Sequence, residues 1–82
     1  MTNQIQQAIE DSIRGNEIVI LRARADTSEF VSLANGLSDA CDDYTRITAG
    51  DNRLDGDVEE VREYWGADED GDDWRIHLYV TR

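Results

Sequence analysis

Several residue types and patterns are scarce or missing in this chain of 82 residues. Its single Cys excludes an internal disulfide, and no Cys and His spacing typical of a metal site is present. No apolar run approaches the roughly 18 residues that span a membrane. Residues 1–16 lack the basic start and apolar centre of a signal peptide. These absences predict a cytoplasmic protein without a membrane partner, metal or cofactor.

Basic residues are also scarce. Lys is absent, and 8 Arg stand against 19 acidic residues, so the net charge is −11. Residues 51–73 hold 11 of the acids and only two Arg, which concentrates the imbalance in one segment. Such a surface repels nucleic acid and attracts basic partners. The alternative is a small acidic protein of a halophilic organism with a structural or regulatory role, although that origin predicts evenly spread acids.

The length of the chain bounds its architecture. Residues 1–82 suffice for one small domain. A domain of this size buries only about 60% of the surface that its unfolded chain exposes, so its stability is marginal. Without a disulfide or a metal, association into a homodimer is the remaining source of stability.

Helix and strand patterns alternate in the first half of the chain. Apolar residues at helical spacing predict a helix over residues 3–14, ended by a left-handed glycine at position 15. The β-branched segment 17–25 predicts a strand that is covered on both faces in its first half. Asp26 is expected to cap a second helix over about residues 28–42. Residues 44–49 alternate and predict a second strand.

The second half contains a loop over residues 50–57 and then a predicted hairpin. Residues 58–65 fit either a helix or a strand, but residues 74–80 alternate cleanly and favour two paired strands. Asp70-Gly71 is a strong signal for a two-residue type I′ turn. That turn places Trp65 opposite Ile76, with Trp65 on the apolar face.

The predicted order is α-β-α-β-β-β. We expect an α+β fold, a single small domain with a mostly antiparallel sheet and both helices packed on one face.

Two acidic segments, GDNRLDGDVEE (50–60) and GADEDGDDW (66–74), raise the question of calcium. In an EF-hand alignment of the second segment, the first and last ligand positions fall on Gly66 and His77. In the first segment, the last position falls on Arg62, a cation where a bidentate carboxylate is needed. The sequence therefore predicts no dedicated calcium site.

Catalytic arrangements are not apparent either. The acids fall in turns, where water solvates them, whereas acid–base catalysis needs a carboxylate whose pKa is raised by a dry pocket. His77 is expected to be a half-exposed strand residue and Cys41 a small core residue. No Gly-rich phosphate loop occurs. The sequence predicts a protein that is not an enzyme.

Direct binding of nucleic acid is disfavoured because the Arg residues are scattered and outnumbered. Arg22, Arg24 and Arg75 can share one strand face, where they pair with surplus acids or contact a partner. The acids themselves are the candidate site, since a protein groove lined with Lys and Arg would accept a line of negative charge. The predicted partner-binding residues are Asp51, Asp55, Asp57, Glu59, Glu60, Glu63, Asp68, Glu69, Asp70, Asp72 and Asp73.

In size, acidity and α/β order, and in its two acidic segments, the chain resembles the small acidic proteins that phages and mobile elements direct against host defence. Anti-CRISPR proteins and anti-restriction DNA mimics are the groups concerned. The resemblance covers the character of the whole chain and no shared motif. It implies a non-enzymatic inhibitor that acts in the host cytoplasm. Its acids would block the DNA-binding surface of a basic, nucleic-acid-binding protein such as a CRISPR–Cas effector complex.

Overall fold

The computed structural model describes residues 4–48, 54 and 56–82. Its elements are α1 (Gln4–Gly15), β1 (Ile18–Arg24), α2 (Ser28–Ala40), β2 (Asp43–Thr48), β3 (Val58–Ala67) and β4 (Asp73–Thr81). The predicted order of elements is confirmed, and the segment that fitted either a helix or a strand is the strand β3.

The four strands form one sheet in the order β1-β4-β3-β2. The β2–β3 and β3–β4 pairs are antiparallel, whereas β1 and β4 are parallel. The sheet is therefore mixed rather than mostly antiparallel. The difference arises because α2 carries the chain from β1 to the opposite edge, so that β4 comes back beside β1 in the same direction.

Both helices pack on one face of the sheet, as predicted. The core between the layers includes Leu37 of α2 with Tyr64, Ile76 and Leu78 of the sheet, all of them without exposed surface. A smaller cluster lies on the other face, where Leu54 packs against Ile47, Val58 and Val61. A bulge between Val58 and Glu60 turns Val58 towards this second face.

The helix ends differ in detail from the predicted ones. α2 is capped by Thr27 rather than Asp26, and the Thr27 hydroxyl accepts a hydrogen bond from the Phe30 N–H at 3.2 Å. At the end of α1 it is Asn16, with φ 49°, that takes the left-handed conformation expected of Gly15. Asn tolerates this conformation better than most residues with a side chain.

The hairpin of β3 and β4 is present, but its register differs by one residue from the predicted one. Tyr64 lies opposite Ile76, and Trp65 lies opposite Arg75. The turn is not the two-residue type, because the Asp68 N–H donates to the Asp72 carbonyl and the Gly71 N–H donates to the Asp68 carbonyl. Gly71, with φ 85°, is the left-handed residue that follows a type I turn in a three-residue hairpin loop.

A shift of one residue moves every side chain of β3 to the opposite face of the sheet. Tyr64 therefore enters the core, and the expectation that Trp65 shares the apolar face is wrong. Trp65 lies on the face away from the helices and is 36% exposed. Trp74 stays in the core at 2% exposure, and its indole lies directly against Gly66.

Candidate functional site

Acidic residues from three separate parts of the chain meet at the end of the sheet where the β3–β4 loop lies. Asp43 pairs with Trp65 across β2 and β3, and the Asp42 carboxylate accepts a hydrogen bond from the Ala67 N–H at 3.2 Å. Glu17 precedes Ile18, which is paired with Arg75 near the same loop. We call this surface the acidic end; its residues are Glu17, Asp42, Asp43, Asp68, Glu69, Asp70, Asp72 and Asp73.

The acidic end contains an open groove of about 600 Å³. Four of its acids line the groove: Glu17, Asp42, Asp43 and Asp73. Trp65, Trp74 and Arg75 also contribute to the walls. The groove thus combines carboxylates with an exposed edge of aromatic surface, a combination that suits cationic side chains of another protein.

The β3–β4 loop is organised by one of its own acids. The Asp68 carboxylate accepts hydrogen bonds from the Asp70 N–H at 3.0 Å and from the Asp72 N–H at 2.8 Å. Glu69, Asp70 and Asp72 are exposed, and within the described residues none of the three forms an ion pair. Asp68 therefore shapes the loop, and the other three acids are free to face a partner.

The carboxylates of Asp68, Asp70 and Asp72 lie within 4.8 Å of one another. Oxygen atoms grouped in this way are ligands that hard cations accept. One Asp68 oxygen is already engaged by two backbone N–H groups, and Asp70 and Asp72 are exposed to water. The cluster alone does not identify a metal site, and the absence of a resident metal stays a prediction.

Three acids of this surface were missed in the sequence, and all three follow a helix. Glu17 comes just after α1, and Asp42 and Asp43 come just after α2. A helix C-terminus carries partial negative charge, so an acid there is unfavourable by about 0.3–1 kcal/mol. These acids could have been found from the sequence, because each lies at or just after the end of a predicted helix, where a basic residue would be more stable. An acid at such a position often marks a functional surface.

Two of the predicted site residues are used inside the molecule. Glu60 lies 2.6 Å from Arg46 and 3.1 Å from Arg62, and its side chain is only 13% exposed. Glu63 lies 3.2 Å from the His77 imidazole. These two carboxylates stabilise the sheet surface and are poorly placed to bind a partner.

Arg62 shows how the Glu60 pair is integrated into the fold. Its guanidinium lies 5.1 Å from the centre of the Phe30 ring of α2. Partial burial lowers the pKa of Arg62, but Tyr64 and Glu60 raise that pKa more, so it lies above its ordinary value. The Tyr64 hydroxyl is buried, and no atom of the described residues meets the geometry of a hydrogen bond to it.

Two further predicted residues, Asp57 and Glu59, lie away from the acidic end. Asp57 is exposed and immediately precedes β3, and Glu59 is half-buried near the start of β3. The ten residues of β3 separate them from the loop by roughly 30 Å. Asp51 and Asp55 fall outside the described residues. The structure therefore brings together Asp68, Glu69, Asp70, Asp72 and Asp73 of the predicted set and separates them from Asp57 and Glu59.

The Arg, His and Cys side chains considered in the sequence have the surroundings that were expected of them. Arg22, Arg24 and Arg75 share the sheet face that points away from the helices, and Arg22 lies 5.3 Å from the centre of the Tyr79 ring. His77 is half-buried on the same face. Cys41 packs partly buried against the core, and this burial raises the pKa of its thiol.

No protein-family model, curated protein or solved structure matches this chain. Neither α1 nor α2, the helices in the described part of the chain, has the length and apolar character needed to cross a membrane. The function is therefore inferred from the acidic end itself.

Proposed function

We propose that this protein is a non-enzymatic inhibitor that binds a basic, nucleic-acid-binding protein, such as a CRISPR–Cas effector complex, in the cytoplasm. The acidic end occupies the path of the nucleic-acid phosphates and so prevents DNA binding. One observation carries the proposal: acids from three parts of the chain converge at one end of the sheet, and no ion pair joins them to a cation of the described residues.

The arrangement of the acids is costly for the isolated protein. Three of them follow helix C-termini, where negative charge is unfavourable. The loop places the carboxylates of Asp68, Asp70 and Asp72 within 4.8 Å of one another, and no cation of the described residues forms an ion pair with them. Selection for stability or solubility alone does not require this concentration, whereas binding to a cationic surface does.

The exposed carboxylates and the exposed Trp65 ring affect binding in different ways. Exposed carboxylates at the edge of an interface accelerate association with a cationic partner and lose this effect as salt screens them. The aromatic surface of Trp65 inside the groove supplies an anchor that salt does not screen. We therefore expect fast association that slows with salt, together with a residual affinity at high salt.

The decisive experiment compares two charge-neutralised proteins in an assay of target-DNA binding by CRISPR effector complexes and restriction enzymes. The test variant carries Glu69→Gln, Asp70→Asn and Asp72→Asn, and it leaves Asp68 in place to hold the loop. The control variant carries Glu10→Gln, Asp26→Asn and Glu29→Gln, which are exposed and lie outside the acidic end. Both lose the same charge, so a general effect of net charge cancels.

We expect wild type and control to block DNA binding by at least one of these systems at low salt, and the test variant to lose at least about tenfold in inhibition. Equal losses in both variants, or no inhibition of any system tested, would refute the proposal. The halophile alternative has its own signature, because such a protein would unfold in low salt and regain its circular dichroism spectrum in molar salt.

A further inference from the structure

The strand β1 forms one edge of the sheet and is incompletely covered on both of its faces. Ile18 and Ile20 are 42% and 51% exposed on the face away from the helices. Val19 and Leu21, which face the helices, are only half-buried. The first half of β1, Ile18–Leu21, carries no charge. An apolar edge segment of this kind is a ready template for pairing with another strand, and proteins usually protect such edges.

The helix layer does not close this edge. Two open grooves of about 500 and 380 Å³ run between α1 and β1. Asp11 and Val19 line both of them, Ile20 lines the first and Leu21 lines the second. Apolar side chains of β1 are thus accessible from the side of the sheet as well as from its open face.

The backbone of β1 also has hydrogen-bonding groups that point outward. The Ala25 N–H donates to the Thr81 carbonyl at 2.9 Å, which directs the N–H of Ala25 towards β4. Because successive residues of a strand alternate in direction, the N–H and C=O groups of Ile18, Ile20, Arg22 and Arg24 point away from β4. These groups form a row along the free edge, in which the Arg24 carbonyl already accepts from the Thr27 N–H at 3.3 Å and from the Thr27 hydroxyl at 2.7 Å.

We propose that β1 pairs with β1 of a second copy of this chain, antiparallel and about a two-fold axis at Leu21. The two sheets then form one continuous sheet across the dimer. In this register Ile20 lies opposite Arg22 of the second copy, and Ile18 lies opposite Arg24 of the second copy. The Ile20–Arg22 pair can exchange two backbone hydrogen bonds. In the Ile18–Arg24 pair the Arg24 N–H can donate to the Ile18 carbonyl, and no Arg lies opposite another Arg.

The charges near β1 favour a second copy of this chain as the partner of this edge. Two chains of net charge −11 repel one another through most of their surfaces, but Ile18–Arg24 contains two Arg and no acid. The antiparallel arrangement puts the two acidic ends at opposite ends of the dimer, which limits their repulsion. It also brings Arg24 of each copy towards Glu17 and the acidic end of the other, so that opposite charges meet.

The other edge strand is less suited to this pairing. β2 begins with Asp43 at the acidic end, and Ile47 is its only buried residue among Asp43–Thr48. Its remaining apolar surface is chiefly the exposed ring of Tyr44, which stacks on Tyr64. A second copy at this edge would gain little apolar burial.

The oligomeric state measured by analytical ultracentrifugation across a range of concentrations tests the proposal. We expect wild type to sediment as a dimer. Ile20→Lys places a charge in the interface twice, so its dimer should dissociate about 100-fold more readily. Val31→Lys is the matched control, because Val31 is 53% exposed on α2 and should leave the dimer intact. Circular dichroism should show that both variants are folded.

A second measurement tests the register. In a Cys41→Ser background, Leu21→Cys should form a disulfide between copies under mild oxidation, because directly opposed Cα atoms in a non-hydrogen-bonded antiparallel pair are about 4.5 Å apart. A wild-type monomer at every concentration, or equal effects of Ile20→Lys and Val31→Lys, would overturn the proposal. It is independent of the proposed inhibition, since Ile20→Lys should still block DNA binding through its acidic end.

Discussion

Replacing Gly66 with Ala tests how β3 and β4 are aligned. In the structure Gly66 lies opposite Trp74, and the indole covers the space where a side chain would begin. A Cβ at this position would lie 2.8 Å from Cζ2 and 3.0 Å from Cε2 of Trp74. Ordinary carbon contacts are about 3.5–4.0 Å, so the ring would have to move by roughly 0.7 Å.

The expected magnitude follows from the surroundings of the ring. Trp74 is 2% exposed, and moving it in a packed core costs about 1–3 kcal/mol. Replacing Gly by Ala gains about 0.4–1 kcal/mol by restricting the unfolded chain. We therefore expect a net loss of about 1–2 kcal/mol in the free energy of unfolding. Each kcal/mol should lower the Tm by about 4–8 °C in a domain of this size.

The assay is urea unfolding followed by far-UV circular dichroism, at one protein concentration for all variants. Gly56→Ala is the matched control, because no atom of the described residues beyond its chain neighbours lies within 4 Å of the added Cβ. It should leave stability unchanged or raise it by up to about 1 kcal/mol, through the restricted unfolded chain. Trp74→Phe should reduce the cost of Gly66→Ala, because a smaller ring leaves room for the methyl group.

The result that would refute this reasoning is a Gly66→Ala protein as stable as the Gly56→Ala control. In the register expected from a two-residue turn, Ala67 faces Trp74 and Gly66 lies on the other face. Tolerance of Ala at Gly66 would favour that register and would return Trp65 to the apolar face. The position of Trp65 in the groove depends on the same alignment.

Two further predictions concern the sheet surface and core. Glu60→Gln should lower the free energy of unfolding by about 1–2 kcal/mol in the same urea assay, because it weakens the contacts of Glu60 with Arg46 and Arg62. The control, Glu59→Gln, should change the free energy of unfolding by less than about 0.5 kcal/mol. Equal effects of the two substitutions would contradict the structural role given to Glu60. Tyr64→Phe removes a buried hydroxyl that lacks a hydrogen bond, so thermal unfolding should show unchanged stability or a gain of up to about 1 kcal/mol. Tyr44→Phe, at a ring that is 50% exposed, serves as its control and should have no effect, and a clear loss in Tyr64→Phe alone would mean that the hydroxyl is bonded.

Local patterns predicted most of the elements. The helical spacing of apolar residues located α1 and α2, and the alternation in residues 74–80 located β4. These patterns succeed because each element buries one face, and that requirement is written into neighbouring residues. The acidic loop was also visible, since Asp, Glu and Gly between two strand patterns have no place in a core.

The register of the hairpin was not visible in the same way. Asp70-Gly71 fits a type I′ turn, but the Asp68 side chain captures the N–H groups of Asp70 and Asp72 and favours a three-residue loop. The apolar pattern alone favours the predicted register, because the observed one places Arg62 opposite Leu78 and Glu60 opposite Val80. The packing of Tyr64 between the layers and of Trp74 on Gly66 distinguishes them.

What the sequence by itself determined is the charge of the protein, the order of its elements and the exposure of its acidic loop. Charge is a sum over residues, and helix and strand periodicity is a property of short segments, so neither needs the rest of the chain. Tertiary structure alone decided that Glu17, Asp42 and Asp43 join that loop, and that β1 is left at an edge. It also decided that Glu60 lies between Arg46 and Arg62, and that Glu63 lies beside His77. These relations connect residues far apart in the chain, and they exist only once the strand order β1-β4-β3-β2 has brought those residues into contact.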